Sequence, residues 1–339
     1  MDRTTLSRRS FTKGLAGVGA VALAGLAGCG GEAASGSTGG ASGTTYKIGV
    51  LQLTEHTALD AANDGFVKAL DDSGISYDID QQNAQNDQSA CQTIASTLVN
   101  NGCDLILAIA TPAAQAVAGA TSDIPIVGTA ITDFAASGLV EDNDAPGGNL
   151  TGTSDMNPVA DQIALLQQLL PDAQAVGLLY CTAESNSDIQ VSLAEEALDG
   201  AGIGHERFTV SSSNEIQQVV ESMVGKVDAI YTPTDNTIAA GMTTVAMVAN
   251  ENGLPTICGE VGMVENGGLA SVSINYEELG YRAGEMAVQI LTEGADPAEM
   301  PIETMSADEC DLVYNQQTAD SLDVDVSALA DEGGQDVSA

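Results

Sequence analysis

Seven short segments of this sequence carry hydroxyl, amide and carboxylate side chains, and most of them directly follow an apolar run. None of the seven contains Arg or Lys, so a bound anion would have to be held by backbone N–H groups at a helix start rather than by a guanidinium. The carboxylates could instead hold an ammonium group. The segments span residues 52–56, 111–115, 129–133, 154–155, 180–186, 232–236 and 259–260.

The segment Thr111-Pro112-Ala113-Ala114 is typical of a helix start. Thr111 would be the N-cap and Pro112 the first helical residue, which leaves the amides of Ala113 and Ala114 pointing outward. Those N–H groups could receive a carboxylate. The same pattern also fits ordinary capping with water beyond the helix, and the residues alone leave both interpretations open.

Five carboxylates in these segments could pair with an ammonium group, although each could equally be a helix cap or a surface residue. Asp235 is the strongest candidate because it follows a strand end within Pro-Thr-Asp-Asn-Thr. A ligand whose two opposite charges are met separately is a zwitterion, such as an amino acid. The five are Glu55, Asp133, Asp155, Asp235 and Glu260.

Enzymatic chemistry is poorly supported by the remaining residues. The chain has two His residues, and His205 lies at a strand start, on the side of a sheet where ligands do not bind. His56 is better placed, but no Gly-x-Ser-x-Gly elbow accompanies it. No phosphate loop follows a strand, and no His/Asp/Glu cluster has metal-ligand spacing. We therefore predict no catalytic residue, no cofactor and no metal.

The charge of the chain excludes a further class of partner. Nine basic residues face 48 acidic ones, a net charge of −39, and such a field repels nucleic acid. A solvated acidic surface explains these carboxylates, whereas capture of polyvalent cations would require a calcium-loop pattern that is missing. Six cysteines show no Cys-x-x-Cys pair, and we expect no disulfide.

Short apolar runs alternate with helical patterns from Tyr46 onward, and the alternation restarts after Pro171. Such alternation predicts right-handed βαβ units and parallel sheets. The predicted strands are 47–53, 77–81, 104–110 and 124–129, then 175–180, 206–210, 228–232 and 255–258. The predicted helices between them are 59–72, 88–101 and 112–120, then 189–201, 215–224 and 237–252.

The two halves resemble each other, since each places a Thr-Pro pair where a strand meets its helix. We therefore predict an α/β fold of two doubly wound, Rossmann-like lobes with a hinge. Ligands bind outside the carboxyl ends of such strands, and two facing lobes form a cleft that a hinge can close. Lobe 1 would comprise 46–153 and about 277–297, lobe 2 would comprise 154–276 and about 298–320, and 321–339 would be an acidic tail. Hinge segments are expected at 152–155 and 271–276, with a third crossing around 297–302.

The N-terminus has the pattern of an export signal. Arg8 and Arg9 precede Ser-Phe and a short apolar run, an arrangement similar to a twin-arginine signal. The sequence Leu-Ala-Gly-Cys29 at the end of this run resembles a bacterial lipobox. We predict a signal over 1–29, lipidation at Cys29, a flexible tether over 30–45, and an extracytoplasmic protein held to the membrane by its lipid alone.

At the same loops the sequence resembles the substrate-binding lipoproteins of ABC transporters, of the tryptophan/tyrosine type with the type I periplasmic-binding fold. The resemblance covers about 46–315. It rests on the text at residues 48–62, 110–115, 132–133, 147–156, 183–187 and 228–237.

This resemblance implies an aromatic amino acid, or a close relative, as ligand and an ABC permease with its ATPase as partners. We expect a monomer, and the charge of the chain excludes nucleic acid as a partner. By position it implies ligand contacts from Glu55, His56, Thr111, Gln115, Ser154, Asp155, Asn186, Asp235 and Asn236. The loops add Ala113, Asp133, Tyr180, Ser185 and Glu260 as expected contacts. A ligand sensor that presents its closed form to a signalling protein is the alternative function, and a two-domain enzyme is a third.

Overall fold

The computed structural model describes residues 44–338, which form two α/β lobes in one compact unit. Within these residues, thirteen strands follow one another along the chain. They are β1 (Thr45–Gln52), β2 (Ser76–Asn83), β3 (Leu105–Ile109), β4 (Ile126–Ile131), β5 (Leu150–Ser154), β6 (Ala175–Cys181), β7 (Gly204–Val210), β8 (Ala229–Thr232), β9 (Thr256–Cys258), β10 (Ala270–Ser273), β11 (Glu303–Thr304), β12 (Asp311–Tyr314) and β13 (Gln335–Asp336).

Twelve α-helices lie between these strands within the described residues. They are α1 (Thr57–Ser73), α2 (Gln88–Asn100), α3 (Thr111–Ala120), α4 (Val159–Leu169), α5 (Ser185–Ala201), α6 (Ile216–Met223), α7 (Asn236–Ala240), α8 (Met242–Glu251), α9 (Val261–Glu265), α10 (Tyr276–Glu293), α11 (Gln316–Leu322) and α12 (Ser327–Asp331).

The sheet of lobe 1 has the order β11-β5-β4-β3-β1-β2, and all of its neighbouring strands are parallel. Strands β3 and β4 are buried along their whole length, as expected for a parallel sheet covered on both faces. The doubly wound α/β architecture predicted from the sequence is therefore confirmed.

Helices α1 and α10 pack closely on this sheet because glycines remove the side chains between them. A Cβ at Gly280 would lie 1.8 Å from the carbonyl oxygen of Ala62, and one at Gly65 would lie 1.9 Å from that of Glu277. Helix α10 comes from late in the chain, yet it completes the core of the first lobe with Leu279, which is buried.

The sheet of lobe 2 has the order β13-β12-β10-β9-β8-β6-β7. Strand β12 runs antiparallel to β10, and the other neighbouring pairs are parallel. Its two apolar cores lie on opposite faces, one around Met223 and Met242 and the other around Leu178 and Leu198.

Two boundaries differ from the sequence prediction. Strand β11 still pairs with β5 of lobe 1, so the third crossing follows Thr304 rather than lying at 297–302. The acidic tail predicted from residue 321 onward is folded over 321–338, because Val326 before α12 and Leu329 within it are buried and β13 pairs with β12. These two apolar residues lie three positions apart and pack into the core of lobe 2.

Some sequence predictions lie outside the described residues, namely the export signal over 1–29, lipidation at Cys29 and most of the tether over 30–45. Five cysteines fall within residues 44–338, and all five are free. No helix of this described part is long and apolar enough to cross a membrane.

Candidate functional site: the interlobe polar centre

A group of buried polar side chains lies where the carboxyl ends of the strands of both lobes meet. Lobe 1 supplies Thr132 just after β4, and the chain crosses to lobe 2 directly after β5. Each member is at least nine-tenths buried. We call this group the interlobe polar centre, and its members are Thr132, Asp155, Asn157, Asn186, Gln190, Thr234 and Tyr276.

Asp155 is the charged member of the centre and is 2% exposed. Its Oδ2 accepts a hydrogen bond from the Tyr276 hydroxyl at 3.0 Å, whereas its Oδ1 has no partner among the described residues. Burial raises the pKa of Asp155 to about 6, although the hydrogen bond from Tyr276 and the nearby hydroxyl of Thr132 act in the opposite direction. A buried carboxylate with one free oxygen is suited to an ammonium group.

Asn157 ties the two crossing segments together. Its Oδ1 accepts from the backbone N–H of Ile274 at 2.9 Å, and its Nδ2 lies 3.3 Å from Thr234 Oγ1 and 3.4 Å from the Tyr276 hydroxyl. The segment that follows β5 therefore holds the segment between β10 and α10 in place, beside Asp155. This residue could have been found from the sequence by its position two residues after Asp155.

Gln190 and Asn186 project from α5 toward the same place. Gln190 Oε1 accepts from the backbone N–H and the hydroxyl of Thr234 at 3.2 and 3.1 Å, and its Nε2 reaches Thr132 Oγ1 of lobe 1 at 3.4 Å. Asn186 Nδ2 donates to the Thr234 carbonyl at 3.1 Å, which leaves its Oδ1 buried without a partner in the described part of the chain. The centre thus offers two unused acceptors, Asp155 Oδ1 and Asn186 Oδ1.

The start of α3 differs in detail from the prediction. Thr111 is the first helical residue, and the N-cap is Ala110, whose side chain cannot accept a hydrogen bond. Ala110 has φ 84°, and Ala130 at the end of β4 has φ 54°, so two non-glycine residues are strained on this edge. Such strain is concentrated at functional sites. Thr111 and Ala113 are buried, and N–H groups in a first turn lack intrahelical partners.

Three hydrogen bonds join the lobes at one side of the cleft. They run from His56 Nε2 to Asn236 Oδ1 at 3.1 Å, from Asn86 Nδ2 to Thr237 Oγ1 at 2.9 Å, and from Gln88 Nε2 to the Ala183 carbonyl at 3.1 Å. Because each bond needs both lobes, the structure is the closed form. Sequence reasoning found His56 and Asn236 but missed Asn86, whose φ of 61° marks its loop as unusual.

Asp235 does not fit the role of ammonium partner that the sequence suggested. It is the N-cap of α7, and both of its oxygens accept hydrogen bonds, from Ile238 N at 2.8 Å and from Cys181 N and Ser187 Oγ at 2.7 Å each. Burial, together with the nearby charge of Glu184, raises the pKa of Asp235.

Glu260 likewise caps a helix. Its side chain accepts from Gly262 N at 2.5 Å and Met263 N at 2.9 Å at the start of α9, and burial raises its pKa to about 7. A charge engaged with its own helix is less available to a ligand than the free oxygen of Asp155.

Other expected contacts have partners elsewhere. Gln115 is exposed and donates to the Ser137 carbonyl, and Asp133 accepts from Ala136 N and Asn143. The Tyr180 hydroxyl accepts from Arg207, so it points away from the cleft. The Ser154 hydroxyl donates to the Thr132 carbonyl. Glu55 and Ser185, which were also expected to contact the ligand, are exposed.

Two known proteins are similar to this chain over most of its length. A tyrosine-binding protein of Clostridioides difficile (strain R20291) is 44% identical over 281 residues, which cover 82% of this chain and 81% of that protein. The structure of an ABC domain from Streptococcus pneumonia in complex with L-Trp is 41% identical, covers 85% of this chain and 98% of that one, and superposes with a TM-score of 0.81.

A second solved structure bears on the conformation. The ligand-free, open structure of a substrate-binding protein with adhesive properties from Clostridium difficile is 45% identical over 83% of this chain and 95% of that one, but its TM-score is 0.64. The lower score at similar identity fits a difference in lobe arrangement. Residues 47–331 match the family model described as ABC transporter substrate binding protein. The chain belongs to the family of ABC transporter substrate-binding proteins.

Proposed function

We propose that this chain binds tyrosine or tryptophan in the interlobe polar centre and delivers it to an ABC importer. The members of this family are not enzymes. They are binding proteins that deliver a small molecule to a transporter. One observation carries the proposal, namely the unpartnered Oδ1 of Asp155, buried beside the Tyr276 hydroxyl.

The ammonium group of the ligand would pair with Asp155. A charge buried in the ligand-free closed form is unfavourable, and an ammonium beside it restores the lost interaction. The free Oδ1 of Asn186 is a second acceptor, suited to a donor such as a phenol O–H or an indole N–H. The ligand carboxylate would lie at the N–H groups that begin α3.

The relatives support an aromatic side chain. One is a tyrosine-binding protein, and another was solved in complex with L-Trp. Closure would be driven by the contacts that a bound ligand makes with both lobes at once, since a ligand shifts a conformational equilibrium only by its differential affinity.

Outside the cytoplasm, where substrate-binding proteins of ABC transporters act, lipid attached at Cys29 would hold this chain to the membrane through the segment 30–45. The ABC permease and its ATPase would be its partners, and it would work as a monomer. The mass of the mature N-terminus tests the anchor, since an unmodified Cys29 contradicts it.

Thermal unfolding in the presence of each of the twenty amino acids tests the ligand assignment. A ligand at 100 times its Kd adds about 2.7 kcal/mol to the free energy of unfolding. We expect that response with Tyr or Trp and its loss in Asp155→Asn, whereas Asp172→Asn, which changes an exposed carboxylate, serves as the matched control. No response to Tyr, Trp or Phe contradicts the proposal.

A further inference from the structure

Glu184 organises the surface of lobe 2 that contacts lobe 1. It is 3% exposed and lies between β6 and α5. Its Oε2 accepts from Asn236 N at 3.0 Å and Asn236 Nδ2 at 2.6 Å, and its Oε1 accepts from Thr237 N at 2.8 Å and Thr237 Oγ1 at 2.7 Å. Because each oxygen faces a backbone N–H, which can only donate, Glu184 acts as an acceptor on both sides.

These four bonds fix the direction of two interlobe hydrogen bonds. The amide nitrogen of Asn236 is committed to Glu184, so its Oδ1 faces His56. The hydroxyl hydrogen of Thr237 is also committed, so its oxygen accepts from Asn86 Nδ2. Lobe 2 therefore presents acceptors, and lobe 1 must present donors.

His56 meets this requirement in one protonation state. Its Nε2 must carry the hydrogen, because Asn236 Oδ1 cannot donate. Its Nδ1 is buried and has no partner within residues 44–338, so a proton there would have no acceptor. Burial lowers the pKa of His56, while the Asn236 hydrogen bond and the charges of Glu184 and Asp60 act in the opposite direction.

We propose that Glu184 is a positioning residue that sets the direction of the interlobe hydrogen bonds, so that the closed form accepts His56 only as its neutral Nε2–H tautomer and acidification releases the ligand. The inference rests on the proposed function and adds a regulation of the same cleft. An opened cleft frees His56 to take up a proton near its ordinary pKa of about 6.5. The closed form then binds fewer protons than the open one, so affinity falls as the pH drops below that value.

The first test compares the wild type with His56→Gln, whose side-chain amide can donate to Asn236 without titrating. Calorimetry gives the Kd for Tyr at pH 8 and pH 5.5 for each protein. We expect the ratio of the two Kd values to be larger in the wild type, by at least threefold and up to about tenfold. Asp155 titrates in both proteins and drops out of the comparison. Equal ratios overturn the proposal.

The second test reads the tautomer directly. The chain has two His residues, so long-range ¹H–¹⁵N spectra of the Tyr-saturated protein contain two imidazole patterns, which His205→Gln assigns. We expect the Nε2–H pattern for His56, and an Nδ1–H pattern in the wild type overturns the proposal. In Glu184→Gln the Asn236 amide is free to turn over, so a shift toward Nδ1–H is expected. Should that variant not fold, the wild-type tautomer and the His56→Gln comparison still decide.

Failure of the proposed function can be told apart from failure of this inference. If Tyr, Trp and Phe all fail to bind at pH 8, the ligand assignment is wrong. The Kd ratios of the wild type and His56→Gln are then compared with whichever amino acid stabilises the protein in the thermal unfolding series. A larger ratio in the wild type supports the inference, and equal ratios overturn it.

Discussion

The hydroxyl of Tyr276 donates to Asp155 Oδ2 at 3.0 Å, although the two residues lie 121 positions apart in the chain. Each belongs to a segment at which the chain crosses between the lobes, so the charged group of the site is held by the hinge itself. Its position should therefore change little when the lobes separate, and the ligand would meet it first in the open cleft.

Replacing Asp155 by Asn should separate binding from stability. We expect a Kd for Tyr at least about 100-fold weaker, because breaking a buried ion pair leaves an uncompensated ammonium. The ligand-free protein should gain about 1–3 kcal/mol in its free energy of unfolding at pH 7, because the buried charge is removed. Calorimetry and urea unfolding measure the two quantities, with Asp172→Asn as control. A variant that binds normally contradicts the role of Asp155.

The pH dependence of stability follows from the same residue. The pKa of Asp155 is raised in the folded protein from an ordinary 3.8 to about 6. Its contribution to the free energy of unfolding is therefore fully present below pH 4 and is lost as the pH rises through 6. Urea unfolding of the ligand-free proteins measures this effect. The free energy of unfolding of Asp155→Asn should exceed that of the wild type by little at pH 4 and by most above pH 6.5. A constant difference across this range would show that Asp155 does not titrate as described.

Closure should depend on a glycine that lies outside the interlobe polar centre. A Cβ at Gly262 in α9 would lie 2.6 Å from the Cβ of Thr57 at the start of α1, across the lobes. Gly262→Ala should therefore disfavour the closed form. Because the equilibrium between open and closed lobes shifts toward the open form, we expect the Kd for Tyr to rise about tenfold.

Thr57→Gly removes the opposing atom, so the double variant Thr57→Gly/Gly262→Ala should regain most of the lost affinity. Calorimetry on the four proteins of this cycle, with small-angle scattering for lobe separation, measures the coupling. Failure of Thr57→Gly to restore binding would place the cause within lobe 2, for example at the Glu260 oxygen 3.0 Å away.

Lobe 1 should be sensitive to a single added methyl group. In Gly280→Ala the new Cβ would lie 1.8 Å from the backbone oxygen of Ala62, so α1 and α10 must move apart at a cost of about 1–3 kcal/mol or more. Gly119→Ala is the matched control, because it is helical in the same lobe and its Cβ would meet nothing within 4 Å. We expect the control to stabilise slightly. Equal effects in urea unfolding would refute the close packing.

Much of the fold could be predicted because strand and helix patterns are local. The predicted strand 175–180 and the predicted helix 88–101 each agree with the structure to within one residue at each end. The predicted helix 237–252 was wrong near its start, since it is divided at Gly241 into α7 and α8. A Cβ there would lie 2.3 Å from Ile216 Cδ1, a tertiary contact that no local pattern reveals.

The site was harder to predict because several carboxylates share the same local signature. Asp155 and Asp235 both follow strand ends, and the sequence favoured Asp235. The structure shows that Asp235 is satisfied by Cys181 N and Ser187, 54 and 48 residues away, whereas Asp155 keeps a free oxygen. Whether a carboxylate is a cap or a ligand contact depends on such distant donors.

The return of the chain to lobe 1 through α10 and β11 has a consequence for biosynthesis. A nascent chain that ends before Tyr276 already contains most of both sheets but lacks the helix that covers α1 and β4. The first lobe therefore cannot reach its native state on the ribosome until Thr304, at the end of β11, has been translated. Folding of the first lobe should therefore be completed only after most of the second lobe has been synthesised.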